Sequence, residues 1–294
     1  MRRDRLRDRL SGPRPLVAPG VFDPLSALLV EQAGFDAAYL SGASLSYTRL
    51  GRPDLGLVSA AEVIDTVARI ADRISIPLIV DADTGFGNAL NVVHTVRNLE
   101  RAGAAAIQIE DQQLPKRCGH LRGKTLVSID EMVGKVRAAV DARASDDTLI
   151  IARTDGIAVE GLDEALRRAE AYQQAGADVL FVEAPRSLAE MQAIAARLPG
   201  TPLLANMVEG GRTPVSGADD LARLGFRLVI TPGSLVRAMA RAGAEMLAVL
   251  HQSGSTKGFQ DRMDDFGQLN ARLGLDDMLA TGDAYGDPAK KAAE

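Results

Sequence analysis

Apolar residues along this chain of 294 residues gather in short, nearly continuous runs, separated by longer stretches in which they recur at helical spacing. Runs such as PLIV from Pro77 and DVLFV from Asp178 do not alternate with polar residues, the pattern of parallel strands covered on both faces. Four segments echo one another: QAGFDAAYLSG from Gln32, RAGAAAIQIED from Arg101, QAGADVLFVEA from Gln174 and RLGFRLVITPG from Arg223. Each reads as a helix ending on Gly, followed by a strand that stops at small or acidic residues. Further strands are predicted at Pro15 to Pro19, Pro77 to Asp83, Leu149 to Asp155 and Pro202 to Met207, giving eight. Between them, apolar spacing as in Val63, Val67, Ile70 and Ile74 predicts helices. Start signals are Asp23-Pro24 and the pairs Ser59/Glu62, Ser128/Glu131 and Ser187/Glu190.

Strict strand–helix alternation repeated eight times, with no linker or break in composition, predicts a single α/β domain over residues 1–294, a (β/α)8 TIM barrel. A doubly wound sheet is the alternative architecture. A last barrel helix is expected from about Ser234 to His251. Residues 252–294 then form a helical extension that a minimal barrel does not need. Its apolar positions Phe259, Met263, Phe266 and Leu269 require a cover, supplied by the barrel or by another subunit. The opening MRRDRLRDRL reads as a solvated helix, with neither the apolar core of a secretory signal nor the acid-poor character of a transit peptide.

Composition narrows the function. Thirty-four basic against thirty-nine acidic residues give a net charge of -5, and aromatic residues make up only 4%. Both argue against a nucleic-acid partner, which calls for positive charge and stacking platforms. No apolar run approaches the ~20 residues of a spanning helix, so no membrane partner is expected. One cysteine cannot form an intrachain disulfide, which fits a reducing cytoplasm.

In a barrel of this kind chemistry collects where strands end at their carboxyl side. The second strand ends in Tyr39-Leu40-Ser41-Gly42-Ala43, with Asp54 in the loop that follows. Asp81 and Asp83 close the third strand, two apart and therefore on the same side. Glu110 and Asp111 close the fourth, Arg153-Thr154-Asp155 the fifth, Glu183 the sixth and Asn206 the seventh. Carboxylates crowded at one rim repel one another unless a cation intervenes, and an all-oxygen donor set suits Mg²⁺, or Mn²⁺. The loop Gln112 to Val127 holds Lys116-Arg117-Cys118-Gly119-His120. A thiol in a polar, glycine-bearing loop flanked by three potential cations is suited to proton donation to a carbanion, or to nucleophilic attack. His120 is a candidate to tune that thiol or to bind a carboxylate, while His94 and His251 read as structural. Arg237, one turn into the last barrel helix, is a candidate for an anionic substrate.

These residues resemble the isocitrate lyase and phosphoenolpyruvate mutase superfamily. The motifs that carry the resemblance are Asp81-Ala-Asp83-Thr-Gly-Phe-Gly, Ile109-Glu-Asp, Lys116-Arg-Cys-Gly-His120, Ala152-Arg-Thr-Asp155 and Asn206-Met-Val-Glu-Gly-Gly. The resemblance implies a barrel whose last helix is exchanged between subunits, giving a homotetramer built as a dimer of dimers. It implies that Asp83 ligates Mg²⁺ directly, with Asp81, Asp54 and Glu110 acting directly or through waters. Ser41, Gly42 and Ala43 would offer backbone amides to an α-oxo carboxylate. Arg153 would clamp a carboxylate, and Gly119, Glu183, Asn206 and Arg237 would position substrate. Cys118 would be the acid on a mobile gating loop, with His120 beside it, and Tyr39 would accept or orient a hydroxyl proton.

The superfamily's phosphonate mutases lack Cys-Gly-His in that loop, which favours a carbon–carbon lyase releasing a 2-oxo acid from a 2-hydroxy dicarboxylate. The Asn206-Met-Val-Glu-Gly-Gly stretch is more like the dimethylmalate lyase and oxaloacetate hydrolase branch than methylisocitrate lyase. Near Phe266, where tricarboxylate lyases carry an Arg, there is no matching cation, and this implies a smaller acid. Oxaloacetate hydrolysis, phosphonate chemistry and a catalytically silent metabolite-binding protein are the alternatives.

Overall fold

A computed structural model describes residues 4–119, 123–214 and 217–286. Eight parallel strands close on themselves in chain order, β8 pairing back to β1. They are β1 (Leu16–Val21), β2 (Ala38–Leu40), β3 (Leu78–Asp81), β4 (Ala106–Glu110), β5 (Leu149–Thr154), β6 (Val179–Val182), β7 (Leu203–Asn206) and β8 (Phe226–Thr231). The predicted barrel is therefore the fold, and the doubly wound alternative is excluded. Helices alternate with the strands: α1 (Asp4–Leu10), α2 (Pro24–Gln32), α3 (Gly42–Leu45) running into a π-helical turn (Ser46–Leu50), α4 (Ala60–Arg73), α5 (Ala89–Ala102) and α6 (Ile129–Ala142). After them come α7 (Gly156–Val159), α8 (Leu162–Gln174), α9 (Leu188–Arg197), α10 (Ala218–Leu224) and α11 (Ser234–Ser253).

The four echoed glycines, Gly34, Gly103, Gly176 and Gly225, all have positive φ just after a helix, as the repeated motif predicts. Asp23 and Ser59 begin α2 and α4 with reciprocal capping boxes. Two predicted boxes are only half made. Ser128 accepts from Glu131 N–H, but the Glu131 carboxylate faces Lys135 at 3.6 Å instead. Ser187 accepts from Glu190 N–H, while Glu190 reaches past it to the amide of Arg186.

Alternation within each strand makes two cores. Val80, Ile107, Ile109, Ile150, Leu180 and Val229 face the helices, whereas Ile79, Ala106, Ile151, Phe181, Leu204 and Leu228 fill the barrel. The opening segment departs from expectation here. Leu6 and Leu10 of α1 are 0% and 3% exposed and join the interior cluster with Leu16, Leu149 and Val179. An open barrel end is an apolar cavity, and two leucines four apart on one helix face can cover it, so this arginine-rich helix is a plug and not a solvated element. Leu6→Ala is expected to cost about 2–5 kcal/mol of unfolding free energy, read as a lowered midpoint in urea with an unchanged slope.

The chain divides into two compact units, one reaching Arg237 and the other starting at Ala238. The second comprises the rest of α11, a 3₁₀ turn (Lys257–Arg262), α12 (Phe266–Leu273) and α13 (Leu275–Ala284). Within it, Glu245 pairs with Arg241 and Arg262, and the Arg262 guanidinium stacks 4.3 Å from the Phe259 ring. Phe266 is 87% exposed and Met278 71%. No described helix is long and apolar enough to cross a membrane.

Candidate active site

From β2 to β7 the inward column is apolar at its lower end and turns polar at its carboxyl end. On β4 the inward positions run Ala106, Gln108, Glu110; on β5 Leu149, Ile151, Arg153; on β6 Val179 and Phe181, with Glu183 next; on β7 Leu204 and then Asn206. The parity that fills the core therefore also aims the chemistry into one place. A cavity of ≈ 150 Å³ lies there, lined by Tyr39, Ser41, Ala43, Asp54, Asp81, Glu110, Cys118, Gly119, Arg153, Glu183, Asn206 and Arg237, with Tyr47, Lys116, Phe181, Val208 and Pro232 among the others. Of the predicted site residues that are described, only Gly42 and Asp83 are not in its lining. Gly42 and Asp83 adjoin it, and His120 lies outside the described residues.

Asp81 and Asp83 bracket a tight turn in which Asp83 itself has φ 47. An aspartate in the left-handed region carries local strain, which the Asp83 N–H to Asp81 Oδ1 bond (3.1 Å) helps to hold. Lys116 Nζ sits 2.6 Å from Asp54 Oδ1 and 2.6 Å from Asp83 Oδ1. Burial pushes the Asp83 carboxyl up to about 7, against the pull of Lys116 and with repulsion from Asp81 and Asp54 adding to it. Burial likewise raises Glu110 well above the usual carboxylate range, although Arg153 opposes it.

Do these residues fit a divalent cation? Among the described residues no three histidine, cysteine or carboxylate groups already converge as a ready cage. The donor chemistry nevertheless fits an ion that keeps several waters. A buried ammonium already occupies the space between Asp54 and Asp83. Glu110 Oε1 is buried without a hydrogen-bond partner among the described residues. A Cβ on Gly42 would fall 3.1 Å from Asp81 Oδ2 and 3.3 Å from Asp83 Oδ1, so the absent side chain leaves that approach open.

Arg153 is held from several sides. Its Nε and Nη2 bond both oxygens of Asp155 at 3.0 and 3.1 Å, its Nη1 lies 3.1 Å from Glu110 Oε2, and its guanidinium carbon is 5.2 Å from the Phe181 ring centre. Asn206 Nδ2 donates to Glu183 Oε2 at 3.2 Å. Tyr39 Oη donates to Gln108 Oε1 (3.0 Å), and Gln108 Nε2 in turn to Asp81 Oδ1 (3.2 Å). Burial, reinforced by Asp81, pushes the Tyr39 phenol well above its ordinary value, so it works as a neutral hydroxyl. Of the three predicted amides, Ser41 N–H is already donated to Val21 O at 3.1 Å, and Gly42 N–H faces Asp81 Oδ2 at 3.4 Å. Arg237 is engaged by Glu209, through both its carbonyl (2.9 Å) and its carboxylate.

The loop after β4 is docked on the rim. Gln112 and Leu126 bridge its base, Cys118 N–H donates to Asp54 O at 3.4 Å, and Lys124 Nζ binds Asp155 Oδ1 (2.6 Å) and the carbonyl of Gly119. Gly119 is required there, because a Cβ would fall 2.4 Å from Arg153 Nη2 and 2.7 Å from Glu183 Oε1. The half-buried Cys118 thus faces the same cavity as the acids. One expectation is corrected: Lys116 flanks the thiol in sequence but spends its charge on Asp54 and Asp83.

Sequence reading missed Gln108, Lys124 and Tyr47. Gln108 was detectable as the one amide in an inward column between Ala106 and Glu110. Lys124 and Tyr47 carry no local signal, since a π-helical turn and a loop contact 31 residues from Asp155 depend on the fold.

A 2,3-dimethylmalate lyase of Eubacterium barkeri is 44% identical over 92% of this chain and 94% of that protein. A 2-methylisocitrate lyase of Aeropyrum pernix is 48% identical over 88% and 82%. Among solved structures, one of 2,3-dimethylmalate lyase superposes with TM-score 0.93 at 38% identity, covering 98% of this chain and 97% of that one. One of oxaloacetate acetylhydrolase, with 3,3-difluorooxalacetate, gives 0.92 at 36% identity and 97% of each chain. Fold and rim thus define an enzyme, and its relatives place it in the carbon–carbon lyase class. The chain belongs to the phosphoenolpyruvate phosphomutase family, whose model matches residues 6–251.

Proposed function

We propose that this enzyme cleaves the C2–C3 bond of a 2-hydroxy dicarboxylate of the 2,3-dimethylmalate type, 2-methylisocitrate being the next candidate, to a 2-oxo acid such as pyruvate and a carboxylate. The observation that carries the reading is the docked loop, which sets Cys118 in one cavity with Asp54, Asp81, Glu110 and Arg153. Asp83, with Asp81, Asp54 and Glu110 directly or through waters, would hold Mg²⁺ or Mn²⁺. When bound, that ion supplies the positive charge that acidifies a 2-hydroxyl and steadies the oxygens of a 2-oxo acid.

The chain's own groups do the rest. Arg153 and the amides of the turn at Gly42 and Ala43 grip the substrate's C1 carboxylate. Tyr39 Oη, already donating to Gln108, presents its lone pairs to the 2-hydroxyl and orients it. As that proton passes to a rim carboxylate, which later returns it to solvent, the O–H electron pair forms the C2 carbonyl. The C2–C3 bond breaks, and its electrons stay on C3, beside the second carboxylate. Cys118 Sγ–H gives C3 its proton, and solvent restores the thiol when the loop lifts. Gly119, Glu183, Asn206 and Arg237 position the substrate, and His120 stands beside the thiol in sequence.

A dicarboxylate is favoured because Lys116 is committed to Asp54 and Asp83, and Arg153, already bonded to Asp155, serves the C1 carboxylate, which leaves little charge on the wall for a third carboxylate. Val208, Ile230, Pro232 and Phe181 give the wall an apolar portion suited to methyl groups. We further propose that α11 and the second unit are exchanged between subunits of a homotetramer, which would cover Phe266, Met278 and Leu279. Incubating the enzyme and Mg²⁺ with 2,3-dimethylmalate, 2-methylisocitrate and oxaloacetate tests the reading. Pyruvate from the dimethylmalate is the expected result; oxalate from oxaloacetate alone would make it a hydrolase.

A further inference from the structure

Tyr47 has no part in the mechanism above, yet its placement is specific. It is the second residue of the π-helical turn Ser46–Leu50, a geometry that costs regular hydrogen bonding and tends to persist where it aims a side chain. Its side chain lines the cavity in company with Cys118, Asp54, Lys116 and Arg237, and it is 42% exposed, which sets it at the mouth. Its hydroxyl makes no hydrogen bond among the described residues. Partial burial raises its phenol above the ordinary value, and the neighbouring Cys118 and Asp54 add to the rise, in keeping with a neutral donor close to the thiol. A large aromatic at a cavity mouth, with a hydroxyl not engaged by any described residue and Cys118 on the same wall, is free to turn that donor to whatever enters.

We propose that Tyr47 is the specificity-determining residue of the outer half of the cavity. Its hydroxyl donates to the carboxylate on C3 of the substrate, and its ring closes the space that a third carboxylate arm would need. The proposal rests on the 2-hydroxy dicarboxylate reading, but it concerns size selection and holds for binding as well as turnover. The inner half, at Arg153 and the turn at Gly42, takes the C1 carboxylate whatever lies further out. The outer half admits one carboxylate and small apolar substituents, and rejects longer acids because Tyr47 stands where they would extend.

Binding to the full-length protein with Mg²⁺ tests this without requiring catalysis. The probes are oxalate, which spans only the inner half, 2,3-dimethylsuccinate, and propane-1,2,3-tricarboxylate; the proteins are wild type, Tyr47→Phe and Tyr47→Ala. Oxalate should bind all three alike. Tyr47→Phe should weaken 2,3-dimethylsuccinate by roughly tenfold, the loss expected when a donor to a carboxylate disappears. Tyr47→Ala should shift the preference toward the tricarboxylate by roughly tenfold to a hundredfold, the range open to a pocket-size change. Equal weakening of all three probes, or an unchanged ratio between the two larger acids, would overturn the proposal. In parallel, wild-type turnover of 2,3-dimethylmalate reports on the functional reading separately: selective binding without turnover contradicts that reading and leaves the assignment of Tyr47 standing.

Discussion

Cys118→Ser is expected to lower kcat by about 10²–10⁴, the usual contribution of a positioned general acid. KM for the dicarboxylate should change little. Serine keeps the backbone bond from residue 118 to Asp54 O, and the loop's anchors through Lys124, to Asp155 and to the Gly119 carbonyl, do not use the thiol. What changes is the proton donor: a hydroxyl is far weaker as an acid than a thiol near neutral pH, so the carbanion at C3 waits and recombines with the bound 2-oxo acid. A fall in kcat with KM preserved separates a group used in the transition state from one used for binding. Stopped-flow kinetics on 2,3-dimethylmalate would show it. An unaltered kcat would remove the thiol from the reaction, and the proton would then have to come from solvent.

Asp83→Asn should weaken Mg²⁺ binding by at least about tenfold to a hundredfold, the loss seen for outer-sphere partners alone, and catalysis should fall in step. Asp83 lies between Asp81 and the Lys116 ammonium, and its buried carboxyl is raised to about 7. Asparagine keeps the shape but removes the charge, leaving Lys116 with Asp54 as its close carboxylate partner. Calorimetric titration with Mg²⁺ measures the effect. Excess Mg²⁺ should partly restore turnover in this variant and should leave Cys118→Ser unimproved, a contrast that separates the metal-holding and proton-giving roles. Equal Mg²⁺ affinity in wild type and variant would place the ion elsewhere.

Most of the fold was legible because a buried parallel strand and a glycine-capped helix leave local marks. The repeats around Gly34, Gly103, Gly176 and Gly225 fix helix ends, and the runs beyond them fix strands. The rim was legible for a related reason. Once strand ends are known, parity decides which side chains face inward, so Asp81, Glu110, Arg153, Glu183 and Asn206 could be named together. What depends on long-range contact was not legible. The arginine-rich start of the chain looks solvated until the barrel end presents an apolar opening for Leu6 and Leu10. Lys116 looks like a neighbour of Cys118 until the loop folds down and Asp54 and Asp83 outcompete the thiol for its charge. The pairing of Ser41 N–H with Val21 O follows from strand register, which no motif records.

Anomalous diffraction from crystals soaked in Mn²⁺ and oxalate tests the metal-centred account most directly. It predicts one strong peak within bonding reach of Asp83, enclosed by Asp54, Asp81 and Glu110, with the Lys116 ammonium moved off Asp83 and oxalate completing the coordination. A peak remote from these carboxylates, or oxalate bound in the cavity with no ion beside it, would contradict it.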